Sequence, residues 1–131
     1  MNLCLGFFEN FKSEDSILLA GEPSDIELLS SRLGSFVDSQ ESSLLINNLA
    51  WVSPSHPVQL SVHRSNPGSP SQQASQFGWL CSVDAYPTIR GKLQALIESG
   101  SGHHYFNLIG SQARLVVSVG EYGKSWWQEH G

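Results

Sequence analysis

The chain has 131 residues, of which 40% are hydrophobic and 15% charged, enough apolar character for one domain with a packed core and too much for a chain disordered by composition. Its formal net charge of −5 is uneven: residues 1–50 hold eight acids against Lys12 and Arg32, while residues 51–131 are close to neutral. An acidic half repels phosphate backbones, which argues against nucleic acid as a partner and in favour of a basic protein.

The opening "MNLCLGFFENFKSED" has a short apolar run without a basic leader or a small-residue cleavage site, so no signal peptide is expected. No apolar run reaches the roughly 20 residues of a membrane helix. The two cysteines, Cys4 and Cys81, make neither a metal spacing nor a disulfide framework. These features together imply a soluble cytoplasmic protein with no membrane contact and no cofactor. "LCLGFF" reads as a strand, edge or central.

"SILLAGEPSDIELLSSRLGSFV" begins with a strand over 17–20, turns at Gly21 and continues as a helix. Ile26, Leu29, Leu33 and Phe36 or Val37 form its apolar stripe. Pro23 suits the first helical turn, Asp25 and Glu27 suit the positive end of the helix dipole, and Gly34 weakens the later turns. Strand-like segments follow at 44–46 and 58–63, separated by a proline-bracketed loop at 53–57. Residues 65–76, "SNPGSPSQQASQ", form a loop that divides two halves of one domain.

The second half repeats the layout. An apolar strand at 77–83 precedes Pro87 and a helical stripe of Ile89, Leu93, Leu96 and Ile97, ended by Gly-Ser-Gly at 100–102. Pro23 and Pro87 lie 64 positions apart, as do Leu29 and Leu93. Two β-α-β-β units are one account of this layout; the chance recurrence of a common motif is the other.

"HHYFNL" and "RLVVSV" are strands flanking a turn near Gly110-Ser111. A two-residue turn places Leu108 opposite Ala113, Phe106 opposite Leu115 and His104 opposite Val117, all on an apolar face. His103, Tyr105, Asn107, Arg114, Val116 and Ser118 then occupy the opposite, largely polar face. The fold class is therefore α+β: one antiparallel or mixed sheet, two helices on one face, and a polar opposite face that carries this hairpin.

That polar face has three uses open to it. Neighbouring strand residues point to opposite sides, so His103 and His104 cannot share a metal. A zinc site would have to recruit His56, His63, Glu121 or His130, none at a diagnostic spacing, and no metal is expected. A hydrolase would require Ser118, His103 and an acid to converge, without any Gly-x-Ser-x-Gly elbow to present the serine. Both cysteines sit in apolar strands, where thiols pack as small hydrophobes. Binding needs less: His103, Tyr105, Asn107, Arg114, Ser118 and Glu121 supply the aromatic and hydrogen-bonding groups that dominate protein interfaces. Trp126 and Trp127 join that surface, pack back on the domain with one ring partly exposed, or pair across a symmetric oligomer. Glu22, Asp25 and Glu27 add negative charge for a basic partner.

Gly102, His103, Tyr105, Ser118, Glu121 and Tyr122 carry a resemblance. The segment "GHHYFNL…ARLVVSVGEY" resembles the C-terminal hairpin of small bacterial immunity-type proteins from polymorphic or contact-dependent toxin systems, over about 20 residues. The resemblance implies an α+β cytoplasmic protein without catalysis that neutralises a cognate toxin, often a basic nuclease, by occlusion. A small hydrolase or metal-dependent enzyme centred on His103, and a homo-oligomeric structural module, are the competing expectations.

Overall fold

The computed structural model describes residues 3–11, 14–54, 58–65, 76–123 and 126–127. Strand β1 (Leu3–Phe11) runs antiparallel to β2 (Glu14–Gly21), and helix α1 (Pro23–Asp38) follows directly. Three short strands come next: β3 (Ser43–Leu45), β4 (Val52–Pro54) and β5 (Gln59–His63). Strand β6 (Gln76–Leu80), helix α2 (Tyr86–Ser99) and the hairpin of β7 (Gly102–Asn107) with β8 (Arg114–Val119) complete the chain.

The class is α+β, but the strands form two sheets where the sequence suggested one. A mixed five-stranded sheet has the order β4-β1-β2-β8-β7, and a three-stranded sheet the order β3-β5-β6. The "LCLGFF" strand is internal, between β4 and β2. Val52–Pro54, whose last two residues fall in the segment read as a loop, pair parallel with Leu3–Leu5; residues 55–57 and 66–75 lie outside the described residues.

The β-α-β-β layout reappears with its strands exchanged. The hairpin-like pair β7–β8 is completed by β2 from the first half, parallel to β8. The pair β3–β5 is completed by β6 from the second half, parallel to β5. Registers correspond throughout: Val117 faces His104 and Leu19, and Val62 faces Leu44 and Trp79. On this correspondence Leu19 matches Trp79, a separation of 60 positions and not the 64 that the prolines suggest. The buried helical residues Leu29, Leu33 and Phe36 match Ile89, Leu93 and Leu96 at the same separation of 60.

Both helices lie on one face of the large sheet, as the alternation requires. A single apolar cluster joins Leu5, Leu19, Leu115 and Val117 of that sheet, Leu60, Val62 and Trp79 of the small one, and the stripes of α1 and α2. Burial of each such side chain contributes roughly 1.5–3 kcal/mol. The C-terminus of α1 is closed from the small sheet. Arg64, just after β5, donates to the carbonyls of Val37 (2.8 Å), Phe36 (2.6 Å), Glu41 (3.1 Å) and Ser39, satisfying acceptors that a helix end otherwise leaves open. At the other end Pro23 occupies the first turn, and Asp25 accepts from the Glu22 N–H at 2.9 Å. Asp25 is fully buried, so it caps its own helix and does not belong to an acidic surface with Glu22 and Glu27.

Gly34, which on propensity alone weakens α1, is where α2 approaches. A Cβ at this position would lie 2.7 Å from the Tyr86 hydroxyl, itself 3.4 Å from the Ser30 carbonyl. Gly34→Ala should therefore destabilise the protein by about 1–3 kcal/mol in urea denaturation, in spite of alanine's better helix propensity. In a Tyr86→Phe background the same change should be neutral or stabilising by up to about 1 kcal/mol; equal penalties in both backgrounds would rule out this contact as the reason for the glycine.

Candidate functional site

Within the hairpin the register is the expected one: Phe106 pairs with Leu115 and His104 with Val117. The connection is longer than a two-residue turn, because the chain leaves the ladder after Asn107. Leu108 bridges instead to Trp79 on β6, and the Ile109 N–H donates to the Gly78 carbonyl at 2.7 Å. This detour joins the two sheets at one corner.

On the outer face of β7 and β8, five of the eight candidate residues form a connected chain. The two ring nitrogens of His103 are both engaged: Nδ1 lies 2.9 and 3.1 Å from the Glu121 carboxylate oxygens, and Nε2 lies 3.1 Å from the Tyr105 hydroxyl. A neutral ring carrying its hydrogen on Nδ1 donates to Glu121 and accepts from Tyr105. Ser118 donates to Glu121 Oε1 at 2.6 Å. The Arg114 guanidinium carbon sits 4.2 Å from the centre of the Tyr105 ring, with Nε 3.4 Å from Ser16 Oγ and 3.6 Å from Glu14. Tyr105 is therefore held by a histidine at its hydroxyl and a guanidinium over its face, yet remains 40% exposed. Asn107 is exposed at the end of the same strand.

The rest of the outer face is not the solvated polar surface that the alternation suggested. Leu18, Ala20, Val116 and Trp127 form a second apolar cluster there, with Phe8, Tyr122 and Trp126 packed against it. Trp127 is 9% exposed and Trp126 partly exposed. Their rings contact Phe8 at 5.7 and 5.2 Å between centroids, so one tryptophan packs back and the other keeps an exposed edge. Ser118 is 0% exposed; it orients Glu121 and offers no surface to a partner.

This order also bears on the imagined hydrolase. In a Ser-His-acid triad the imidazole must touch the serine, whereas here Glu121 stands between Ser118 and His103. Among the described residues no three of His, Cys, Asp and Glu converge as a metal site; His56 and His130 lie outside them. No described helix is long and apolar enough to cross a membrane. Burial pushes the Cys81 thiol up to about 11, with Arg64 pulling weakly the other way, and burial plus the charge of Asp25 raises Cys4. Neither thiol is a ready thiolate near neutrality.

Beside the hairpin, α2 and the edge strand β7 flank an open groove of about 640 Å³. Its floor is Trp79, Phe106 and Ile89, all buried. Thr88, Lys92, Asn107, Tyr105 and Arg114 stand around it. Lys92 donates to the Tyr105 carbonyl at 3.0 Å and lies 5.0 Å from the centre of the Phe106 ring. Trp79, Thr88 and Lys92 do not stand out in the sequence as site residues. The available signal was the Thr88–Lys92 pair, one turn apart beside the buried Ile89 on α2. Comparison with family models, with curated proteins and with solved structures finds no match for this chain.

The raised Cys81 pKa has a signed consequence. As pH climbs past the ordinary thiol value of about 8.5, the unfolded chain loses this proton while the native thiol keeps it up to about 11. The stability contribution is full below the ordinary value and is lost as pH rises towards the native one. Urea midpoints measured between about pH 8 and 10.5 should fall less steeply for Cys81→Ala than for the parent. A disulfide reagent at pH 8 should leave Cys81 unmodified until the protein unfolds. Rapid native labelling of Cys81, or equal pH slopes, would contradict its burial.

Proposed function

We propose that this chain is a non-catalytic protein-binding module, and in its specific form an immunity-type protein that neutralises a cognate bacterial toxin by covering the toxin's working surface. The observation that carries the reading is the exposed but immobilised Tyr105, fixed between His103 and Arg114 on the face of an edge strand. An aromatic ring already held in one orientation loses little freedom on binding, so its contact area converts efficiently into affinity. The acidic balance of the chain favours encounter with a basic partner such as a nuclease toxin, and speeds association more than it strengthens the final complex. Occlusion requires no chemistry from this protein, and a producing cell would need it in the cytoplasm, beside newly made toxin.

Affinity capture from the native host tests the reading, with the parent protein as one bait and a His103→Ala, Tyr105→Ala, Arg114→Ala variant as the other. A single toxin-like protein retained by the parent, and lost by a variant whose circular dichroism shows it still folded, is the expected result. Failure of both baits to retain a protein, with stoichiometric zinc in the same preparation, would overturn it in favour of chemistry at His103.

A further inference from the structure

We propose that Glu121, His103 and Tyr105 form a pH-sensitive switch on the binding face, in which protonation of the imidazole releases the Tyr105 hydroxyl hydrogen to an acceptor on the partner. This inference rests on the protein-binding reading and names how that same surface is regulated.

The imidazole is held at both ends. Nδ1 lies 2.9 and 3.1 Å from the two Glu121 oxygens, and Nε2 lies 3.1 Å from the Tyr105 hydroxyl. An ionised carboxylate only accepts, so Nδ1 keeps its hydrogen in either charge state of the ring. The incoming proton therefore goes to Nε2, the atom that faces Tyr105. In the neutral ring Nε2 offers a lone pair, and the phenol spends its single O–H on it. In the imidazolium Nε2 carries an N–H, so the phenol oxygen accepts and its own hydrogen turns outward. Tyr105 is 40% exposed, so that hydrogen meets solvent or a partner. To a partner, one proton taken up at His103 converts the hydroxyl from an acceptor into a donor.

The neighbours hold the heavy atoms in place while the hydrogen moves. Ser118 is fully buried and donates to Glu121 Oε1 at 2.6 Å, which keeps the carboxylate against the ring. Lys92 donates to the Tyr105 carbonyl at 3.0 Å, and the Arg114 guanidinium carbon lies 4.2 Å from the centre of the Tyr105 ring. The side chains of His103 and Glu121 are 26% and 29% exposed, so the ring exchanges protons with solvent in the folded protein.

The surrounding charges favour one class of partner group. Glu121 follows β8, Arg114 stands on β8, Glu14 of β2 lies 3.6 Å from Arg114, and Lys92 reaches β7 from α2. These two acids and two cations balance while His103 is neutral, and its protonation leaves one net positive charge. The same proton thus supplies a free donor and a positive field. Both favour a carbonyl or carboxylate oxygen on the partner, and both oppose a cationic donor. An acceptor at this point is compatible with a basic partner overall, because encounter follows net charge and docking follows local contacts.

The test is an NMR titration of the intact, isotopically labelled protein between about pH 5 and 8, where histidine side chains change charge. Long-range nitrogen correlations should show the His103 hydrogen on Nδ1 alone at the alkaline end and on both nitrogens at the acid end. The Tyr105 Cζ resonance should move with the same midpoint in the parent and stay level in His103→Gln. Hydrogen on Nε2 at the alkaline end, or a Tyr105 Cζ resonance that stays level in the parent, would overturn the proposal. The protein retained by the parent in host capture is then titrated on the parent, His103→Gln and Tyr105→Phe. It should bind the parent roughly two- to tenfold more tightly at the acid end than at the alkaline end, and neither variant should show the difference. Equal affinity at both ends, or a dependence that survives in Tyr105→Phe, would reject the switch and leave the binding reading standing. Failure to retain any protein at either pH would remove the binding reading, and the NMR titration then decides the hydrogen exchange alone.

Discussion

The rest of the structure depends on two parallel ladders, β2 with β8 and β5 with β6. Each joins a strand of one half to a hairpin-like pair of the other. Neither β7–β8 nor β3–β5 stands alone as a sheet, since two strands with one apolar face are marginal in water. Exchange of the third strand makes both sheets depend on the whole chain and drives both helices into one shared core. Parallel pairing also explains why long connections separate the partners, 12 residues between β5 and β6 and most of the chain, both helices included, between β2 and β8.

The candidate surface inherits its order from that arrangement. Trp79 comes from the small sheet, Phe106 and Tyr105 from the large one, and Lys92 from the helix between β6 and β7. The Trp79–Leu108 bridge and the Ile109–Gly78 hydrogen bond lock the corner where the sheets meet. On the outer face the buried Ser118 holds Glu121, Glu121 holds His103, and His103 holds the hydroxyl of Tyr105. The side chains of this surface therefore stand in positions already set, which on the protein-binding proposal leaves little ordering entropy to oppose association.

Much of this was legible in the residues themselves. The stripes of α1 and α2, Pro23 in the first turn, the Gly100 end of α2 and the β7–β8 register follow from local periodicity and turn chemistry. What escaped was set by long-range pairing. The division into two sheets, the internal place of β1 and the short β4 depend on strand order, which alternation does not encode. The polar face was misjudged because Val116 packs with Trp127 in an apolar cluster, a contact between β8 and a segment beyond it, and because Ser118 is fully buried. The groove was invisible for a related reason: its lining comes from β6, α2, β7, β8 and Glu14. Gly34 is the opposite case, a residue noted for its local cost whose use is seen only once Tyr86 of α2 lies against it.

Native-state hydrogen exchange in increasing denaturant tests the central dependence most directly, through the amides of the two parallel ladders. If each half completes the other, the slowest amides of β5 and β6 and those of β2 and β8 should converge on one unfolding free energy. Opening of β3, β5 and β6 at a free energy several kcal/mol below that of the large sheet would contradict it. The groove would then belong to two separable units and not to one prearranged surface.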